Sequence, residues 1–102
     1  MNGANHFSQS YGEARAKFLH AGEAAGLDAE SHAHPLRGRD AESLAMDVVL
    51  EGAKGARSLL ILSSACHGVE GYCGSGIQIS LLHDAAWHEA VRASGVAVLY
   101  IH

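Results

Sequence analysis

Two uncharged apolar runs constrain this chain more than anything else in it: Leu59 to Leu62, which leads into Ser63, and Val96 to Ile101. Runs this short, with no alternating polar face, are expected of strands covered on both sides. Between them come a glycine-bearing turn and then residues at helical spacing: Tyr72, Gly76, Ile79 and His83, joined by Ile77, Leu81 and Leu82. The helix is expected to begin between Gly71 and Gly76. Gly71, Gly74 and Gly76 weaken its first turns, which makes sense where backbone or substrate must come close. A second helical piece covers 84–93 and stops at Ser94-Gly95. Strands joined by such a crossover run parallel, with a right-handed connection. The fold class is therefore α/β, built on a βαβ unit.

Upstream, residues 8–26 read as a helix. Ser10-Tyr11-Gly12-Glu13 fits a capping box, and Tyr11, Ala14, Phe18, Ala21 and Ala25 make an apolar stripe. Gly26 is placed to stop it in the left-handed conformation, with Leu27 folding back. His20 falls off the stripe and reads as a solvated imidazole. Ala29 to Leu36 reads as a strand closed by Pro35, with His32 and His34 on one face; a polar strand face explains that pair better than a metal site. Arg37-Gly38-Arg39-Asp40 is a turn. Leu44, Met46, Val48 and Leu50 then alternate with Ala45, Asp47, Val49 and Glu51, so an antiparallel pair at a sheet edge is expected. Gly52-Ala53-Lys54-Gly55 is a loop.

Composition excludes several classes. At 102 residues there is room for one small domain, and 48 % hydrophobic with 18 % charged residues suits a globular chain. A net charge of -4 leaves no basic face for nucleic acid. No apolar run is long enough to span a membrane. The start, Met1-Asn2-Gly3-Ala4-Asn5, lacks the basic and apolar regions of a secretory leader, which makes the cytoplasm the default. Cys66 and Cys73 make no disulfide framework and read as buried free thiols.

The chemistry concentrates in Ser63-Ser64-Ala65-Cys66-His67-Gly68-Val69-Glu70-Gly71. In an open α/β sheet, ligands bind beyond the carboxyl ends of the parallel strands, and His67 and Glu70 fall there. An imidazole on the loop and a carboxylate on the first helical turn can converge on a divalent metal. Zinc accepts this donor mix, and its catalytic sites use three protein ligands. Other readings remain: His67 capping the helix with Glu70 favouring its positive end, an anion held by the glycine-rich N–H groups, or a Cys66/His67/Cys73 site. The missing Lys after the glycines, and the carboxylate standing where an anion would go, weaken the anion reading.

The run Ser64 to Tyr72, preceded by Leu59-Leu60-Ile61-Leu62, resembles the first metal-binding segment of the zinc carboxypeptidase-like metallohydrolases. It is most similar to an uncharacterised bacterial branch in which His-Gly-Val-Glu-Gly is typical. The aspartoacylase and succinylglutamate desuccinylase relatives share the His-Gly-x-Glu core. The resemblance extends over Phe7 to His102, but only 64–72 is specific. It implies zinc as cofactor, His67 and Glu70 as the first two ligands, and a peptide or acyl-amino-acid substrate. It also implies the amino-terminal third of a mixed-sheet α/β/α catalytic domain, with the final strand inserted between Leu44–Leu50 and Leu59–Leu62. The family's third ligand (a histidine), its general-base glutamate and its substrate-holding Arg and Asn residues are expected beyond residue 102. His102, ending the strand beside the one that carries His67, could approach the site, although that position is not a ligand in the family. The last strand is expected to leave an unpaired edge. A second class of function follows from that edge: a non-catalytic remnant or interaction module that self-associates through the sheet.

Overall fold

The computed structural model describes residues 3–102; the leader-free reading of the chain's start falls partly on residues 1 and 2, outside the described residues. A short 3-10 turn, Gly3–His6, precedes α1 (Tyr11–Ala24), β1 (Ala29–Arg37), β2 (Ser43–Glu51), β3 (Ser58–Ser63), α2 (Gly71–Leu82), α3 (Ala85–Ser94) and β4 (Val96–Ile101). The four strands form one sheet in the order β1-β2-β4-β3. β1 and β2 pair antiparallel, as do β2 and β4, whereas β3 and β4 are parallel. The last strand inserts between β2 and β3 as expected. It therefore has neighbours on both sides, and the edge strands of the sheet are β1 and β3, not the last strand.

Local chemistry sets the helix limits. Ser10 Oγ accepts the Glu13 backbone N–H at 3.2 Å, so α1 starts after Ser10 and not at residue 8. The Glu13 carboxylate does its work elsewhere, pairing with Lys17 at 3.0 Å. At the other end Gly26 takes φ +75, and Leu27 N–H donates back to the Gly22 carbonyl at 2.9 Å. Asp84 caps α3 through Ala86 N and Trp87 N, and Gly95 ends it at φ +70.

The core joins Phe18 and Ala21 of α1, Val49 of β2, Ile79 and Leu82 of α2, Val91 of α3, and Val98 and Tyr100 of β4. Val49 pairs with Tyr100 and Glu51 with Val98, so one sheet face carries all three helices. Among the described residues no helix covers the opposite face, and there Met46, Leu50, Leu59 and Ile61 are exposed. This corrects one expectation: β3 is not covered on both faces. On β2 the buried side is Asp47, Val49 and Glu51.

Two buried carboxylates therefore need partners, and distant elements supply them. Asp47 accepts Arg15 Nε at 2.8 Å, Arg15 Nη2 at 3.2 Å and Ser31 Oγ at 2.5 Å. Burial pushes its carboxyl up, but Arg15 and Ser31 outweigh that and hold it below its ordinary value. Glu51 accepts the Tyr100 hydroxyl at 2.5 Å, and that hydroxyl in turn accepts Trp87 Nε1 at 2.8 Å. His88 Nδ1 stands 2.6 Å from the other Glu51 oxygen, and His88 Nε2 stands 2.8 Å from the Leu82 carbonyl. Both ring nitrogens face acceptors, an arrangement that favours the protonated ring. Burial opposes that charge, yet the Leu82 carbonyl and Glu51 raise the His88 pKa on balance.

β1 runs through Pro35 instead of closing at it. As an edge strand it needs no N–H there, and its register shifts between Ala33 and Arg37. Its residues, His32 and His34 included, are exposed; the His34 ring accepts Leu36 N–H at 2.9 Å. His20 is exposed as expected, its ring 6.5 Å from that of His83. Among the described residues no helix is long and apolar enough to cross a membrane.

Candidate metal centre

β3 ends at Ser63, and its parallel register with β4 runs from Ser58–Val96 to Ser63–Ile101. The chain leaves the sheet at Ser64, whose N–H donates to the Ile101 carbonyl at 3.0 Å. It then turns through Ala65 at φ 60 and Gly68 at φ 68 before entering α2. A positive φ at Ala65 is costly for a residue with a Cβ, so packing must enforce it. Gly71 supplies that packing: a Cβ there would lie 2.6 Å from Ala65 Cα. The glycines of α2 are thus explained by close approach of the chain to itself. Gly71 faces the Ala65 backbone, Gly74 the Ser64 side chain and Gly76 the Phe7 ring.

This turn brings His67 and Glu70 together. His67 Nδ1 lies 3.3 Å from Glu70 Oε1, with the two side chains 82 % and 68 % exposed. They border a shallow depression of about 230 Å³ lined also by Ser63, Ser64, Ala65, Cys66, Gly71 and Gly74. Glu70 occupies the N-cap position of α2 but makes no side-chain capping bond. Glu70 thus stands at the positive end of the helix, where the alternative reading also places it, and both side chains face solvent and each other. Among the described residues no third His, Cys, Asp or Glu joins them in a group able to hold a metal.

The structure places the remaining candidates elsewhere. His102 is 5 % exposed and turns toward the helices, where its ring stacks on Phe18 and its Nε2 lies 2.8 Å from Ser75 Oγ. Burial lowers its pKa. It does not approach His67. Cys66 and Cys73 are free but exposed, not buried. Cys66 sits on the projecting loop, and α2 docks through Ser75, Gln78, Ile79 and Leu82, which turns Cys73 outward.

Sequence reasoning missed Gln78. It is 3 % exposed, and its Nε2 donates to the Leu62 and Ile101 carbonyls at 3.1 Å each, tying the ends of β3 and β4 together under the loop. The available signal was a polar residue at 78 on the face otherwise marked by Ile79 and Leu82.

A family model described as "Protein of unknown function (DUF2817)" matches residues 7–102. Among curated proteins nothing matches the chain. Among solved structures, a glutaminyl cyclase from Fimbriiglobus ruber is similar, with a TM-score of 0.57 and 14 % identity. The match covers 94 % of this chain and 38 % of the other, so the chain spans well under half of that protein's length. At such identity the likeness is one of fold: a mixed sheet with helices in the same arrangement.

Proposed function

The chain belongs to the DUF2817 family of proteins of unknown function, and we propose that it supplies the first two ligands, His67 and Glu70, of a zinc-dependent amide or peptide hydrolase. On this reading residues 1–102 form the amino-terminal third of a metallocarboxypeptidase-like catalytic domain. The third ligand and the general base would come from beyond residue 102. One observation carries the reading: an imidazole and a carboxylate, both solvent-facing, meet at 3.3 Å beyond the carboxyl ends of the parallel pair.

The donors fit zinc as far as they go. A ring nitrogen and a carboxylate oxygen are ligands it takes, and two of them fall short of the three used in catalytic sites. When bound, zinc would supply a Lewis acid for a substrate carbonyl and acidify water. The chain's own contribution is to hold His67 and Glu70 on a loop braced by Gly71 against Ala65, beside a depression open to a peptide or acyl-amino-acid substrate. A cytoplasmic location belongs to the same proposal, since a reducing compartment keeps exposed Cys66 and Cys73 as thiols. The test is hydrolysis of acyl-amino acids and short peptides by the full-length protein carrying this segment. Activity lost on chelation, restored by zinc and absent in His67→Ala is expected; activity indifferent to chelator would sink the proposal.

A second reading rests on β3. Its outer edge has no strand neighbour here, and Leu59, Leu60 and Ile61 are 54 %, 41 % and 55 % exposed. Such an edge recruits another strand, which would make the chain an interaction module that self-associates. Sedimentation that shifts with concentration, in a protein that binds no zinc, would favour it.

A further inference from the structure

We propose that Gln78 is a positioning residue for the His67–Glu70 loop, setting it by clamping the carbonyl ends of the two parallel strands. The inference rests on the reading of His67 and Glu70 as ligands and adds what holds them in place. Gln78 Nε2 donates to both Leu62 O and Ile101 O. Ile101 O also accepts Ser64 N–H, the first amide after β3. One side-chain amide thus adds a link between β3 and β4, beyond their own ladder, at the point where the chain departs toward Ala65 and His67. From Ser64 onward the loop is held besides by the close approach of Gly71 to Ala65 and of Gly74 to Ser64, and by the turn bond from Gly71 N–H to the Gly68 carbonyl. Ala65 needs its positive φ enforced, and the loop's outer side faces solvent.

A second observation separates this from ordinary packing. Four buried side-chain atoms lack a hydrogen-bond partner among the described residues: Ser8 Oγ, Ser64 Oγ, Gln78 Oε1 and His102 Nδ1. Three of the four belong to one seam, where α2 meets the strand ends, and Ser75, one turn before Gln78, bonds His102 in the same seam. An apolar residue at 78 would remove Gln78 Oε1 from that set, but it would also take away the donor that the Leu62 and Ile101 carbonyls share. Buried polar groups call for partners, and at this seam the Gln78 amide gives its N–H groups to the two strand ends.

The test is hydrogen exchange on the full-length protein, wild type against Gln78→Met, which keeps length and apolar volume but removes the amide. Exchange of the Ser64 and Gly71 amides, which donate to the Ile101 and Gly68 carbonyls, should quicken at least about ten-fold while those of β2 and β4 keep their protection. Zinc affinity should fall about ten-fold, the lower end of what outer-shell partners contribute. Unchanged exchange in the loop would overturn the proposal, as would equal acceleration throughout, which marks a purely structural role. Should Gln78→Met fail to fold, Gln78→Asn keeps the amide but is one methylene too short to reach both carbonyls, and the same comparison decides. His67→Ala separates the two claims: if it binds zinc like wild type, the ligand reading fails, and loop exchange in the Gln78 variant still judges the clamp.

Discussion

Replacing Arg15 by Met should destabilise the fold far more than a partly exposed residue normally would. Arg15 is 27 % exposed, but its partner Asp47 is 0 % exposed and receives both guanidinium bonds. Removing one member of a buried pair leaves the other charge uncompensated, at about 3–5 kcal/mol. Ser31 still donates to Asp47, so the lower end, about 3 kcal/mol, is expected. With a urea m-value of about 2 kcal/mol per molar, the unfolding midpoint followed by Trp87 fluorescence should drop by about 1.5 M. The pH dependence gives an internal check. The folded Asp47 pKa is depressed, so its contribution is present above the unfolded value, about 3.9, and is lost as pH falls through the folded value. In Arg15→Met the carboxyl loses its largest stabiliser, so the gap between variant and wild type should narrow as pH falls below about 4. The double variant Arg15→Met/Asp47→Leu should recover most of the loss, because a buried ion pair is often replaced by apolar residues at little cost. A loss under about 1 kcal/mol for the single variant, or a double variant as unstable as the single, would refute the reasoning.

Two further outcomes follow from named contacts. His88 has a raised folded pKa, so its contribution is full below the unfolded value, about 6.5, and is lost as pH rises through the folded value; melting temperature should fall on that alkaline side, and His88→Gln should flatten the fall. Gly71→Ala puts a methyl 2.6 Å from Ala65 Cα, a backbone atom that cannot step aside; a cost of about 1–3 kcal/mol is expected in denaturant unfolding, with amide shifts confined to 64–72, and a neutral substitution would show that Gly71 does not brace the loop.

Much of the fold was legible because its signals are local. The Ser10–Glu13 cap, the Gly26 stop and the Asp84–Gly95 limits of α3 each depend on residues within a turn of one another. The insertion of β4 between β2 and β3 came from the resemblance, and the pairing bears it out. Alternation on β2 did not tell which stripe is buried, and the more apolar one is the outer. The inner positions tolerate Asp47 and Glu51 only because Arg15, Tyr100 and His88 reach them from far along the chain, and no window on the sequence contains those pairs. Apolar content likewise suggested that β3 is covered, whereas coverage depends on what lies beside the strand. At the site, the nearness of His67 and Glu70 could be read from their spacing. The clamp at Gln78 could not, because its partners are backbone carbonyls of two strands.

The central claim is that His67 and Glu70 hold a metal. Zinc content per chain of the full-length protein, measured on wild type, His67→Ala and Glu70→Gln with circular dichroism confirming the fold of each, tests it most directly. One zinc per chain in wild type, lost from both folded variants, is the predicted result; zinc retained in full by His67→Ala, or absent from wild type, would contradict it.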